Sequence, residues 1–373
     1  MGAEIEALVA ERVRRSGPLP FDEVMELALY HPVHGFYGQG HGAGRGGRDF
    51  ITSPEVGALF GAVVARALDG WWRDLSAPDP FVVVEAGAGA GMLAASVLAA
   101  RPACASALRY VLVERSEALR RLQLARLALE PSSLVLGPAL GADPDEPSAY
   151  EGPLVTNLCD LPVGPFVGVV LANELLDNLP FRLVERGSGQ WDEVRVGRNL
   201  GEVLVPAAPD LAAEADRLAP DAPDGGRIPI QRASGRWLRA ATASLRRGRV
   251  VVFDYANTTA ALARRPWTEW VRTYRGHGRG SHPLADLGSQ DLTCEVAVDQ
   301  LAAVRRPAAN RSQADFLNAN GMAELVAEAR RTWHERAAVG DLAAVAARSR
   351  VTEAGALTDP SGLGAFRVLE WVV

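Results

Sequence analysis

Phe81-Val82-Val83-Val84-Glu85-Ala86-Gly87-Ala88-Gly89-Ala90-Gly91, continuing into Met92-Leu93-Ala94, decides the fold. Its unbroken apolar run reads as a strand buried on both faces, which belongs in a parallel sheet. The alternating glycines let the backbone turn tightly and come close to a ligand. The segment from Leu93 to Ala100 reads as a helix whose first N–H groups point back at that turn.

Outward from this unit the rhythm repeats: a strand at Tyr110 to Glu114, a helix at Ser116 to Leu129, and further strands at Leu134 to Leu136, Val167 to Ala172 and Val250 to Asp254. Phe366 to Val373 reads as a last strand that closes the sheet antiparallel. Strands alternating with helices place the chain in the α/β class. A two-stranded pattern, Arg182 to Glu185 and Glu193 to Val196, opens an insertion over about 182–230, and 262–292, rich in Arg, Gly, Trp and Tyr, reads as a second one. Before the sheet, Ile5, Leu8, Val9 and Val13 keep helical spacing, and a second helix from Phe21 ends before His31-Pro32. Seven glycines between Gly35 and Gly47 read as a mobile lid. Ser53 reads as the N-cap, Pro54 as the first residue and Glu55 as a dipole-compatible second residue of one long helix through Trp71. The division expected is a helical extension, 1–75, and a larger domain, 76–373.

The glycine turn suits two nucleoside cofactors. A dinucleotide fingerprint threads as Gly89-x-Gly91-x-x-Ala94 but fails from Gly87, where Met92 stands. An S-adenosylmethionine loop fits the whole segment, because Glu85 ends the first strand and Glu114, 29 residues on, ends the next, where a carboxylate can accept both ribose hydroxyls. At the following strand the chain reads Ala172-Asn173-Glu174-Leu175-Leu176-Asp177. Polar groups at the carboxyl end of a central parallel strand face the ligand crevice. Glu174 and Asp177 stand three apart, so one helical turn would align both carboxylates for a cation such as a guanidinium.

Several chemistries drop out. All 39 basic residues are arginine, so there is no Schiff-base or Walker A lysine. A net charge of −6 disfavours general attraction to nucleic acid, and the helix from Arg236 reads as a solvated face. His31, His34 and His41 lie in a Pro/Gly loop without a carboxylate pattern, and no metal is expected. No nucleophile elbow is present. Cys104, Cys159 and Cys294 form no CxxC pair, there is no hydrophobic signal core, and no apolar run reaches the roughly 18 residues of a span, so a cytoplasmic protein away from membranes is expected.

Asp49-Phe50-Ile51-Thr52-Ser53-Pro54-Glu55 with Phe60-Gly61, then Glu85-x-Gly87-x-Gly89-x-Gly91, then Asn173-Glu174-x-x-Asp177-x-x-Pro180, resemble in that order the MidA family of class I S-adenosylmethionine-dependent methyltransferases. Phe253-Asp254-Tyr255, Thr273-Tyr274-Arg275, Gly288-Ser289-Gln290-Asp291-Leu292-Thr293 and Gln313-x-x-Phe316-Leu317 agree. Where the family has D-Y-G, a proline before G-x-x-D-x-T, a later histidine and a glutamate, this chain has Asp254-Tyr255-Ala256, Leu287, Glu295 and Gln231. The resemblance implies a mostly parallel seven-stranded, Rossmann-like sheet with a helical N-terminal extension and an inserted substrate-facing segment. It also implies S-adenosylmethionine as cofactor and methyl transfer to a protein side chain, arginine in the mitochondrial complex I assembly relative. Small-molecule methylation and a non-catalytic assembly role stay open, as does oligomeric state. The expected cofactor residues are Ser53, Pro54, Glu55, Glu85, Gly87, Gly89, Glu114 and Asn173. Glu174, Asp177 and Asp49 are expected to handle the acceptor.

Overall fold

The computed structural model describes residues 3–42, 52–141, 150–276 and 278–373. Asp49 and the lid beyond Gly42 lie outside them. Seven strands form the central sheet: β1 Phe81–Ala86, β2 Leu108–Val113, β3 Leu154–Leu158, β4 Phe166–Asn173, β5 Leu245–Asp254, β6 Ala309–Ser312 and β7 Arg367–Val372. Their order is β3-β2-β1-β4-β5-β7-β6. The first five are parallel, while β7 runs antiparallel to β5 and β6 antiparallel to β7. Every residue of β1 and β2 is buried, as their unbroken apolar runs require. One face of the sheet packs Val83, Tyr110 and Val251 under Leu59, Val63 and Phe316, and the other packs Val84, Val170 and Val252 against Leu238 and Leu301. Strand order reverses between β1 and β4, so their carboxyl ends open a crevice at a topological switch point.

A second core joins pieces that are far apart in sequence. Helices α1 (Ala3–Ser16) and α2 (Phe21–Tyr30) flank the two residues Leu19–Pro20, which pair antiparallel with Trp191–Val196 in a sheet that also holds Arg182–Arg186, Glu202–Pro206 and Arg227–Ile230. Ile5, Val9 and Val13 keep one face of α1 dry against this core, and Phe21 meets Phe181 at 5.3 Å. The insertion and the N-terminal extension therefore share one hydrophobic core.

Three local expectations are corrected, and a fourth is made specific. The Leu134 to Leu136 run lies in a helix, Ser132–Gly141, and the sheet strand is Leu154–Leu158 instead. A three-residue apolar run has no period to separate helix from strand, and Thr156 and Asn157 make the true edge strand half polar. The long helix is broken: Thr52 precedes a short turn, α3 (Ser53–Val56), Gly57 is extended, and α4 runs Ala58–Asp74. Glu353 supplies what the sequence hid, accepting the Leu59 N–H at 2.8 Å, and a Cβ on Gly57 would stand 2.1 Å from its carboxyl carbon. The stretch from Gly35 to Gly42 is not a loose loop as far as it is described. Its amides bond back to α2 and to each other, with Phe36 to Ala28 O at 2.8 Å and Tyr37 to Leu29 O at 2.9 Å. Gly38 is required by packing, because a Cβ there would lie 2.1 Å from His31 O. The 262–292 segment, read as an insertion, folds into one short helix, Trp267–Trp270, and a three-stranded sheet, Val271–Arg275, Gly278–Arg279 and Asp291–Cys294.

Candidate functional site

At the switch point lies a cavity of about 1030 Å³, lined by the carboxyl ends of β1, β2 and β4, by Thr52, Pro54 and Glu55, and by α2. The turn after β1 takes its shape from glycine: Gly87, Gly89 and Gly91 have φ of 71°, 52° and 79°, a region that side chains resist. A Cβ on Gly87 would meet Leu175 at 2.9 Å, whereas one on Gly89 would meet nothing within 4 Å. Gly89 therefore leaves room for a ligand against the backbone.

Glu114, just past β2, accepts the Gly89 N–H at 2.9 Å with Oε2 and the Ser116 N–H at 2.8 Å with Oε1. Glu114 lines the cavity, and a carboxylate oxygen can accept more than one bond. Burial lifts its pKa from the ordinary carboxylate value, partly offset by these N–H donors. Glu85 is buried, takes the Tyr110 hydroxyl at 2.7 Å, and is pushed up to about 7 chiefly by desolvation.

Asn173 ends β4, and Glu174 departs from it with φ 51°, one of the few residues other than glycine in the left-handed region. Such a conformation costs on the order of 1–3 kcal/mol and clusters at functional sites. The Glu174 N–H donates to Phe253 O at 2.8 Å, holding the chain to β5 one residue beyond the pairing. Its Oε1 accepts the Ser53 N–H at 3.2 Å and the Asn173 Nδ2 at 3.1 Å, and desolvation pushes it up to about 7. Ser53 itself is buried, its hydroxyl donating to Gln313 Oε1 at 3.0 Å.

Glu174 and Asp177 do not share one face as their spacing suggested. The left-handed residue and a 3₁₀ turn, Leu176–Asn178, replace the α-turn, so Glu174 lines the cavity while Asp177 turns into the protein and accepts the Tyr255 hydroxyl at 2.5 Å. There it joins a set of buried carboxylates the sequence left unconnected. Asp254 accepts the N–H groups of Leu176 and Asp177, and Asp291 accepts Tyr37 Oη at 2.9 Å and Asn178 Nδ2 at 3.0 Å. Asp177 and Asp291 are each pushed up to about 7, by desolvation first, while Asp254 is raised well above its ordinary value by burial and then by Asp177 and Glu174. Asp177 Oδ1 and Asp291 Oδ2 are buried and have no hydrogen-bond partner.

Other wall residues escaped sequence reading. Tyr30 and Tyr37 stack at 5.6 Å, and the Tyr30 hydroxyl donates to Asn178 O at 3.0 Å. A pair of tyrosines beside a glycine-rich stretch carries no local signal of this contact. Arg236 and Trp237 also line the cavity, so the helix Arg232–Ala243 has one face on the site, and Arg246, Arg247 and Arg249 belong to β5. His31 accepts backbone N–H groups of Val33 and His34 and stacks on the His34 ring at 5.2 Å, an ordering of the loop. No helix among the described residues is long and apolar enough to cross a membrane.

Sheet order, glycine turn and the carboxylate after β2 define a class I fold that binds S-adenosylmethionine. The cavity fits that cofactor: backbone space at Gly89, hydrogen-bond acceptors at Glu114 and polar groups at Glu85 line it together. Residues 63–316 match the family described as "Putative S-adenosyl-L-methionine-dependent methyltransferase", and the chain belongs to that family, as its MidA-like sequence blocks imply. A Burkholderia thailandensis crystal structure bound to S-adenosyl-homocysteine, 25% identical, superposes with a TM-score of 0.78 over 100% of this chain and 92% of that one. A native structure from the same organism, 27% identical, gives 0.77 with the same coverage. The mitochondrial protein arginine methyltransferase NDUFAF7 homolog of Drosophila melanogaster is 32% identical over 195 residues, 50% of this chain and 43% of that protein. Its Mus musculus counterpart is 29% identical over 308 residues, 76% of this chain and 66% of that protein. This chain thus spans less than half the length of the Drosophila relative and about two thirds of the mouse one.

Proposed function

We propose that this protein transfers a methyl group to an arginine side chain of a protein. The observation that carries the reading is the single cavity that holds both the Gly89–Glu114 cofactor wall and the Glu174 carboxylate. When bound, the cofactor supplies an electrophilic methyl on a sulfonium. Gly87 and Gly89 would pass the backbone along it, Glu114 would accept from the ribose hydroxyls, Glu85 would hold the amino-acid end, and Pro54, Glu55 and Asn173 would wall the same space, while Ser53, expected there, is buried behind the wall and holds Glu174 through its N–H. Glu174 orients the acceptor nitrogen and takes its proton. A guanidinium has an unperturbed pKa above about 12, so the neutral nucleophile is scarce at pH 7 and a carboxylate that both binds and accepts the proton is the group required. Asp177 supports this site from below, through Tyr255 and through its charge beside Glu174. The named activity of the arginine methyltransferase relatives supports this choice of acceptor. We place the reaction in the cytoplasm, on the reading of the sequence.

The test is incubation of the purified protein with isotopically labelled S-adenosylmethionine and an extract lacking its gene. Label in methylated arginine on protein is expected. Label confined to small molecules would establish the small-molecule alternative. A protein that binds the cofactor and labels nothing would leave the non-catalytic assembly role.

A further inference from the structure

Arg115, the residue after the ribose carboxylate, lies at the cavity wall with its guanidinium over the Tyr30 ring, 4.9 Å from the centroid, and pairs with Glu26. We propose that Tyr30 and Glu26 form the seat for the acceptor's guanidinium, and that this chain's own Arg115 fills it until an acceptor displaces it. This deepens the arginine methyl-transfer reading and rests on it.

Four observations carry the seat. The ring is fixed: its hydroxyl donates to Asn178 O at 3.0 Å and its face stacks on Tyr37. Asn178 lies four residues from Glu174, so the seat is tied to the segment that carries the proposed base. A planar cation over a fixed aromatic face beside a carboxylate is what guanidinium recognition uses, with the ring contributing about 0.5–2 kcal/mol. The occupant is also loosely held. The side chains of Arg115 and Glu26 are 59% and 41% exposed, and such surface pairs contribute about 0–1 kcal/mol, so an incoming guanidinium with further contacts can replace Arg115. Asp22, Glu23 and Asp160 line the cavity with Glu26 and give a cation acidic partners, beside Arg12, Arg115 and Arg236 in the same lining. Finally, α2 belongs to the N-terminal extension and not to the cofactor sheet, so the seat stands where an acceptor-specific element would.

The experiment titrates the full-length protein, saturated with S-adenosyl-homocysteine, with the peptide acetyl-Gly-Gly-Arg-Gly-Gly-amide and its lysine counterpart. Arg115→Lys is expected to tighten the arginine peptide by about threefold or more, the scale of one exposed pair, and to leave the lysine peptide unchanged. Adding Glu26→Gln or Tyr30→Leu to Arg115→Lys should remove the gain, while Tyr30→Phe, which keeps the ring and safeguards against misfolding, should retain it. S-adenosyl-homocysteine affinity should stay within about twofold throughout, because the seat binds no part of the cofactor. No saturable arginine-peptide binding by Arg115→Lys, a gain that survives Glu26→Gln, or an effect on the cofactor product alone would overturn the proposal. A protein that takes the peptide at Tyr30 and binds no cofactor product would keep the seat and overturn the methyl-transfer reading.

Discussion

Tyr37 and Asp291, 254 positions apart in the chain, share a 2.9 Å hydrogen bond in which the phenol donates to Oδ1. Asn178 Nδ2 donates to the same oxygen, so one carboxylate joins the N-terminal extension, the segment after β4 and the strand Asp291–Cys294. Tyr37→Phe leaves that buried oxygen with one donor fewer. Stability should fall by about 1–3 kcal/mol, the cost of an underbonded buried polar group. A denaturant titration with an unshifted midpoint would show that the bond does not hold the elements together.

Gly89→Val should abolish cofactor binding without unfolding the protein. A valine at φ 52° is strained, but its Cβ meets no protein atom within 4 Å, so what it occupies is ligand space. Calorimetry with S-adenosyl-homocysteine should show a loss of about 10²-fold or more, roughly 2.7 kcal/mol. Undiminished affinity in a folded variant would remove this turn from the cofactor site.

Glu174→Gln keeps the shape and removes the base. Turnover should fall by about 10²-fold or more at saturating cofactor, with cofactor affinity nearly unchanged. In the parent protein the rate should rise with pH through about 7 as Glu174 deprotonates, since desolvation and the charge of Asp291 raise its pKa against the Ser53 and Asn173 donors. The variant should lose that limb of the profile. An affinity defect with turnover intact would assign Glu174 to the cofactor.

Asp177 should make stability fall as pH rises. Its folded pKa, about 7, lies above the ordinary 3.8, so the folded state prefers the protonated form. The contribution is fully present below the ordinary value and is lost as pH climbs through about 7. Tyr255, Glu174, Asp254 and Asp291 are titratable groups that feel its charge. Asp177→Asn keeps an acceptor for Tyr255 and removes the titration, so its Tm should exceed the parent's at pH 8 and approach it at pH 4. With about 2–4 °C per kcal/mol for a chain of this size or somewhat smaller, a shift of several degrees is measurable. A difference that does not change with pH would mean that Asp177 is neutral throughout.

The parallel core and the cofactor turn were legible in one dimension because each is local. Strands buried on both faces must be apolar throughout, and a backbone that turns left-handed three times in five residues must place glycine at 87, 89 and 91. That Glu85 and Glu114 line the cavity followed from their positions at strand ends. The half-polar edge strand Leu154–Leu158 was not legible, because an edge relaxes the burial that makes a strand apolar.

The acceptor side depended on contacts that no spacing encodes. Glu174 and Asp177 diverge because φ turns positive at Glu174 and the Phe253 carbonyl holds its amide. Asp291 meets Tyr37, Glu353 replaces a local helix cap, and the first helices share a core with an insertion some 170 residues later, all across long stretches of chain. Periodicity and turn chemistry act over a few residues, so they recorded the sheet and its glycine turn. Pairing between distant side chains depends on how the finished layers meet, and that meeting, at the crevice between β1 and β4, is what set Tyr30, Arg115 and Glu174 around one cavity.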